Sequence, residues 1–213
     1  MAKIREEMLK ALRFCYQEGL VWGQSGILTA RARGSQFLVA PRGASYEDPT
    51  EHSIGVYDST KKRWRGPGLP PADLTIHGEI YRTRGQIQAI FQSQAPFTTL
   101  VACSDIALET ALTPLTMASL GTVIDIPYNL PGSEELISSI NVKSINSDVL
   151  LLRSYGALVA GKTLKEVIEK TITLEFTCRL CVFAGQGGIK LRPLSPDMVE
   201  SLKDLRRKGA FAI

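Results

Sequence analysis

Gln92 and Gln94 lie one residue apart where an apolar run, Ile87 to Phe91, gives way to Ala95-Pro96; Tyr155 follows a second strand-like run, Asp148 to Leu152. Side chains spaced this way on a strand end point to the same side. Two histidines in those places could grip one cation, with a third ligand arriving from the second strand. Amides and a phenol are poor ligands for zinc and its neighbours. The pattern therefore reads as a metalloenzyme framework without its metal, and no cofactor is expected. The groups that remain can still move protons and hold anions. Asp73 could act as a base if burial raises its pKa, with Tyr155 beside it as a second catalytic candidate. Arg42, Arg153 and the amides of Gln92 and Gln94 could donate hydrogen bonds to a developing negative charge. His77, one turn beyond Asp73, could relay protons with it, or simply pack against a strand and bond a backbone carbonyl. His52 falls in a polar loop. With only these two histidines, no His-rich metal site can be built elsewhere.

Composition excludes several classes. The chain has 213 residues, 44% hydrophobic and 22% charged, which suits a folded core. Its net charge of +4 is spread along the chain without aromatic interleaving, so nucleic acid is not implied. Lys61-Lys62-Arg63-Trp64-Arg65 reads as a solvated hairpin edge. Lys203, Arg206, Arg207 and Lys208 suit the last turn of a helix. No apolar run approaches a membrane span, and no signal peptide precedes the first amphipathic segment. Cys15, Cys103, Cys178 and Cys181 read as reduced thiols of a cytoplasmic protein. Cys178 and Cys181 have a redox or half-zinc spacing, but they sit deep inside an expected helix and read as core residues.

The elements that must position these groups follow from periodicity and caps. Ile4, Met8, Leu12 and Cys15 mark a helix over 3–18, stopped by Gly19. Strands are expected over 26–31 and 36–40, and a hairpin over 54–57 and 62–64. Asp73 reads as the N-cap of a helix carrying Leu74, His77, Ile80 and Tyr81 on one stripe up to Gly85. A strand over 87–92 leads to a short helix over 96–103. A strand near 122–126 precedes a helix capped by Ser133 and running through Ile140. Strands over 148–152 and 157–160 lead to a long helix opened by a capping box, Thr163 to Glu166, and ended by Gly185, Gly187 and Gly188. Ser195-Pro196 opens a final helix to about Lys208. No linker or repeat divides the chain, so residues 1–213 read as a single α/β layered domain.

Six motifs in order carry a family likeness. Gly19-Leu20-Val21-Trp22-Gly23-Gln24-Ser25-Gly26, Ala40-Pro41-Arg42-Gly43, Leu69-Pro70-Pro71-Ala72-Asp73 and Ile90-Phe91-Gln92-Ser93-Gln94-Ala95-Pro96-Phe97 come first. Pro127-Tyr128-Asn129-Leu130-Pro131-Gly132-Ser133 and Leu152-Arg153-Ser154-Tyr155-Gly156-Ala157 complete the set. Together they resemble the class II aldolase/adducin family from about residue 5 to 185. The resemblance implies a three-layer α/β/α fold with a central, largely antiparallel sheet, assembled as a homotetramer with pockets between subunits. It also implies that Gly26, Arg42 and Gly43 belong to loops that meet an anionic substrate, and that Asp73 stands where catalytic members carry a glutamate.

The departures fall on the chemistry. Where the family binds a divalent ion through three histidines, this chain has Gln92, Gln94 and Tyr155. Where sugar-phosphate aldolases hold phosphate with two serines, it has Pro71 and Ala72; Ile27 replaces an asparagine and Ala40 a threonine. Adducin's head domain resembles this fold while lacking the enzyme's metal set. The sequence thus favours a metal-free, divergent homologue acting as a binding or scaffold protein. The competing expectation is a metal-independent lyase acting on a small polar carbonyl or carboxylate by retro-aldol cleavage, dehydration or decarboxylation. Either way the expected partner is a small anionic ligand, with no nucleic acid and no membrane.

Overall fold

The computed structural model describes residues 1–207, so the expectation for Lys208 lies outside the described residues, as do the side chains of Arg206 and Arg207. Eight strands form one sheet: β1 Ile27–Arg31, β2 Gln36–Ala40, β3 Gly55–Asp58, β4 Arg63–Arg65, β5 Ala89–Ser93, β6 Val123–Ile126, β7 Val149–Leu152 and β8 Gly156–Gly161. Their spatial order is β4-β3-β2-β1-β5-β8-β7-β6. Every neighbouring pair is antiparallel except β6 with β7. The sheet is therefore largely antiparallel. The basic hairpin around Lys61 to Arg65 lies at its β4 edge, where exposed charge discourages further strand pairing.

Alternation along the strands feeds two separate cores, one on each face. Leu28, Ala30, Phe91, Val149 and Val159 pack with Met8 and Leu12 of α1 (Ala2–Gln17) and with Leu174 and Cys178 of α6 (Leu164–Gln186). Ile27, Phe37, Ile90, Leu150 and Leu158 pack with Leu74 and Ile80 of α2 (Leu74–Thr83) and with Leu136 and Ile140 of α5 (Glu134–Ser144). The result is three layers, helix on sheet on helix. Cys178 and Cys181 are buried as expected, and burial pushes the Cys178 thiol up to about 12, far from a reactive thiolate.

Caps explain where most helices begin. Ser133 Oγ accepts from the Leu136 N–H, and Thr163 Oγ1 accepts from the Glu166 N–H. The reciprocal half of the expected box is displaced: the Glu166 carboxylate accepts from the Lys162 N–H and pairs with Lys170 instead. α3 (Pro96–Ala102) is capped from outside by Glu175 of α6, which accepts from the Phe97 and Thr98 N–H groups at 2.9 and 2.7 Å. α4 (Pro114–Leu120) has no counterpart in the sequence reading, although Thr113 caps it and Pro114 opens it. α7 (Pro196–Arg207) closes the described chain. No described helix is long and apolar enough to cross a membrane.

Candidate active site

The site forms at one end of the strands, where three segments meet the start of α2. Asp73 does not cap that helix. Its backbone is already helical, at φ −76° and ψ −4°, and its side chain makes no capping bond. The carboxylate turns toward the strand ends instead. Its Oδ2 accepts from Tyr155 Oη at 2.7 Å, Arg42 Nη2 at 3.1 Å and Gln92 Nε2 at 3.4 Å. Each donor comes from a different element: the turn between β7 and β8, the loop after β2, and β5. Asp73 is only 2% exposed, and its Oδ1 has no hydrogen-bond partner among the described residues.

Burial raises the Asp73 carboxyl above its ordinary value, and Arg42 and then the Gln92 amide partly oppose that rise. A proton on Asp73 belongs on Oδ1, because Oδ2 already accepts three bonds. The guanidinium of Arg42 lies 5.3 Å from the centroid of the Tyr155 ring, so the same cation meets a carboxylate and a π face. The Arg42 side chain keeps 43% of its surface exposed and has donors to spare for an incoming anion.

The turn that carries Tyr155 is tightly determined. Ser154 adopts φ +57° and Gly156 φ +138°, both in the left-handed half of backbone space. A Cβ on Gly156 would lie 2.3 Å from the carbonyl oxygen of Ser93, so only glycine lets this turn close on the end of β5. Gly26 plays a similar part at the entry to β1. Its φ is +91°, and a Cβ there would press on Val21 and the Tyr46 hydroxyl at 2.8 and 3.2 Å. Gly43 follows Arg42 and faces the side chain of Gln24, which brings the two glycine loops together.

The remaining sequence candidates divide. Gln94 donates to the Tyr155 carbonyl at 3.1 Å rather than to Asp73, and thereby ties the two strand-end loops together. Arg153 points elsewhere: Nε bonds Asp125 at 2.7 Å and Nη1 bonds the Ser104 carbonyl at 2.7 Å. It staples β6, β7 and the end of α3 and shares no contact with Asp73. The His77 ring neither meets the Asp73 carboxylate directly nor bonds a backbone carbonyl. Its Nε2 lies 3.2 Å from Gln92 Oε1 and its Nδ1 lies 2.9 Å from Thr29 Oγ1. Sequence reasoning missed Thr29, whose hydroxyl also bonds Tyr81 Oη at 2.9 Å. It missed Trp22 as well, an exposed indole whose Nε1 holds the Gln94 carbonyl at 3.0 Å. An aromatic residue inside a glycine-rich loop is the signal that could have found it.

A divalent metal does not fit the Gln92, Gln94 and Tyr155 cluster. Both polar atoms of the Gln92 amide are engaged by His77 and Asp73, the Gln94 amide nitrogen by Tyr155, and the Tyr155 hydroxyl by Asp73. None brings an imidazole lone pair or a negative charge. Among the described residues, no three His, Cys, Asp or Glu side chains gather elsewhere to hold an ion.

The frame is a layered sheet with a buried carboxylate ringed by strand-end loops. The particular group can now be stated: this chain belongs to the class II aldolase and adducin family, since the Class II Aldolase and Adducin N-terminal domain matches residues 6–182. It is 27% identical over 210 residues to a 3-oxo-tetronate 4-phosphate decarboxylase from Haemophilus influenzae, covering 96% of this chain and 97% of that one. It is 28% identical over 172 residues to a 5-methylthioribulose-1-phosphate/5-deoxyribulose-1-phosphate aldolase from Rhodospirillum rubrum, covering 81% and 77%. Among solved structures, YgbL from Klebsiella pneumoniae superposes with a TM-score of 0.84 at 24% identity, covering 94% of this chain and 98% of that one; the likeness shows a shared fold.

Proposed function

We propose that this chain is a lyase for a small 3-oxo or hydroxy acid, with a metal-free site in which Asp73 and Tyr155 handle the proton and Arg42 holds an anionic group of the substrate. The observation that carries this reading is the convergence of Arg42, Gln92 and Tyr155 on one oxygen of a carboxylate that burial biases toward its protonated form. The decarboxylase and aldolase names of the relatives support the reaction class.

Loss of CO2 from a 3-oxo acid breaks a carbon–carbon bond and leaves the electron pair in an enolate, whose oxygen needs hydrogen-bond donors. Arg42 has donors to spare for it, and Tyr155 can supply one by turning its hydroxyl away from Asp73. Asp73 then gives its proton to the carbon that lost the carboxylate and regains one from water. For retro-aldol cleavage the ionised carboxylate would instead take the proton of the hydroxyl whose carbon–carbon bond breaks. Pro71 and Ala72 offer no hydroxyl to a phosphate, so a carboxylate is the anion expected at Arg42. The chain is further expected to assemble as a homotetramer, with exposed Phe14, Leu100, Phe176 and Phe183 as apolar contact surface. A monomer by light scattering at micromolar concentration would remove that part.

The test uses metal-stripped protein and 3-oxo acids with and without a terminal phosphate. CO2 release is expected above the buffer rate, faster on the unphosphorylated acid, and roughly 10²–10⁴-fold slower after Asp73→Asn. Activity that needs an added divalent metal, or that survives Asp73→Asn, defeats the reading. Binding without turnover would instead place the chain among binding or scaffold proteins.

A further inference from the structure

Behind Asp73 runs a line of buried polar side chains on the α2 face of the sheet. Gln92 is 2% exposed, His77 and Thr29 0%, and Tyr81 4%. Antiparallel pairing of β1 with β5 sets Ile27 opposite Gln92 and Thr29 opposite Ile90, which puts Thr29 and Gln92 on one face beneath α2. Groups this deep must satisfy one another, because each unpaired one would carry a desolvation penalty.

One direction of donation satisfies the whole line, with Thr29 donating to His77 Nδ1 at 2.9 Å in preference to the Ile90 carbonyl at 3.4 Å. Oδ2 of Asp73 is acceptor-only in either protonation state, since a proton on the carboxyl belongs on Oδ1, so Gln92 must turn its NH2 toward it at 3.4 Å. The Gln92 oxygen then faces His77 Nε2 at 3.2 Å, and that nitrogen must carry the proton. His77 Nδ1 is left as a lone pair and accepts from the Thr29 hydroxyl at 2.9 Å; the Thr29 oxygen in turn accepts from Tyr81 at 2.9 Å. Turning the Gln92 amide over would set its oxygen against the Asp73 carboxylate.

We propose that His77 is a positioning residue: held as the Nε2–H tautomer by Thr29 and Tyr81, it locks the Gln92 amide with its NH2 toward Asp73. The proposal rests on the reading that Asp73 is the proton-transfer group. The line orients and does not conduct, because an amide between His77 and Asp73 neither takes nor gives a proton near neutrality. Burial lowers the His77 pKa to about 4, with the Gln92 bond opposing, so the ring is neutral where a lyase would work. The charged groups around the line among the described residues are Asp73, one amide away, Arg42, bonded to the same Asp73 oxygen at 3.1 Å, and Arg31, whose guanidinium lies 4.8 Å above the Tyr81 ring.

Nitrogen-15 NMR of the full chain labelled at histidine reads the tautomer directly. The two histidines are assigned by His52→Gln. Expected is a single Nε2–H tautomer for His77, neutral from about pH 8 to about pH 5. Carbon-13 detection of the Asp73 carboxyl supplies the second readout. Thr29→Val should mix the His77 tautomers and move the Asp73 midpoint upward, because the Gln92 donor is released. His77→Leu should do the same to Asp73, and His77→Gln, which keeps an N–H for the Gln92 oxygen, should move it less. An Nδ1–H tautomer in the parent protein overturns the proposal, and so does an Asp73 midpoint unchanged in both Thr29→Val and His77→Leu. Neither readout needs substrate, so a failed lyase assay and a failed positioning role are told apart.

Discussion

Replacing Thr29 by valine changes one hydroxyl into a methyl at almost constant shape, and the structure sets the cost. Thr29 is fully buried and bonds both His77 Nδ1 and Tyr81 Oη at 2.9 Å. Valine strands both partners inside the core, at about 1–3 kcal/mol each. The added methyl returns at most about 1 kcal/mol. A net loss of about 3 kcal/mol is expected, which for a chain of this size lowers Tm by roughly 6–12 °C. Urea unfolding at fixed protein concentration should show a lower midpoint with an unchanged slope. Tyr81→Phe supplies the internal control. Once the Tyr81 hydroxyl is gone, Thr29→Val strands only His77, so the double mutant should be less destabilised than the sum by about 1 kcal/mol. A Thr29→Val protein within about 0.5 kcal/mol of the parent, or strict additivity with Tyr81→Phe, would refute the hydrogen-bond line itself.

Other outcomes follow from the same geometry. Gly156→Ala forces a Cβ onto the Ser93 carbonyl at 2.3 Å and should cost at least about 3 kcal/mol, seen as a large drop in urea midpoint. Burial alone would raise the Asp148 carboxyl, but Lys170 and Arg84 hold it below its ordinary value. Its contribution is thus present above the ordinary carboxylate value and lost as pH falls through the lower folded value. Asp148→Asn should therefore lose about 3–5 kcal/mol at neutral pH and flatten the acid side of the stability curve. Asp73 has the opposite sign. Its raised folded value favours the protonated form, so its contribution is present in acid and lost as pH rises through the folded value. Asp73→Asn should be at least as stable as the parent at neutral pH, with the advantage shrinking toward acid, as thermal melts across pH would report.

Local chemistry was legible where one segment decides it. The spacing of Met8, Leu12 and Cys15 placed α1, and Ser133 and Thr163 marked the starts of α5 and α6. The family likeness implied a three-layer fold with a largely antiparallel sheet, as observed, but not the order of the strands within it. What stayed hidden depends on contacts distant in sequence. Asp73 looks like a cap by residue type, and only the arrival of Arg42, Gln92 and Tyr155 explains why it turns away. Arg153 resembles a substrate ligand until Asp125, 28 positions earlier, claims it. Thr29 looks like any strand threonine, and nothing near it in sequence hints at His77. α4 escaped because Leu115 is exposed and the helix has only seven residues, too few for a clear period.

The central claim is that Asp73 supplies a proton in a metal-free site. It is tested most directly by running the turnover of a 3-oxo acid with a substituent on the carbon bearing the carboxylate, by metal-stripped protein in D2O. The account predicts one deuterium on the carbon that bore the carboxylate, in a single configuration, at a rate that collapses with Asp73→Asn. Label of both configurations appearing at the uncatalysed rate, unchanged by that substitution, would contradict it.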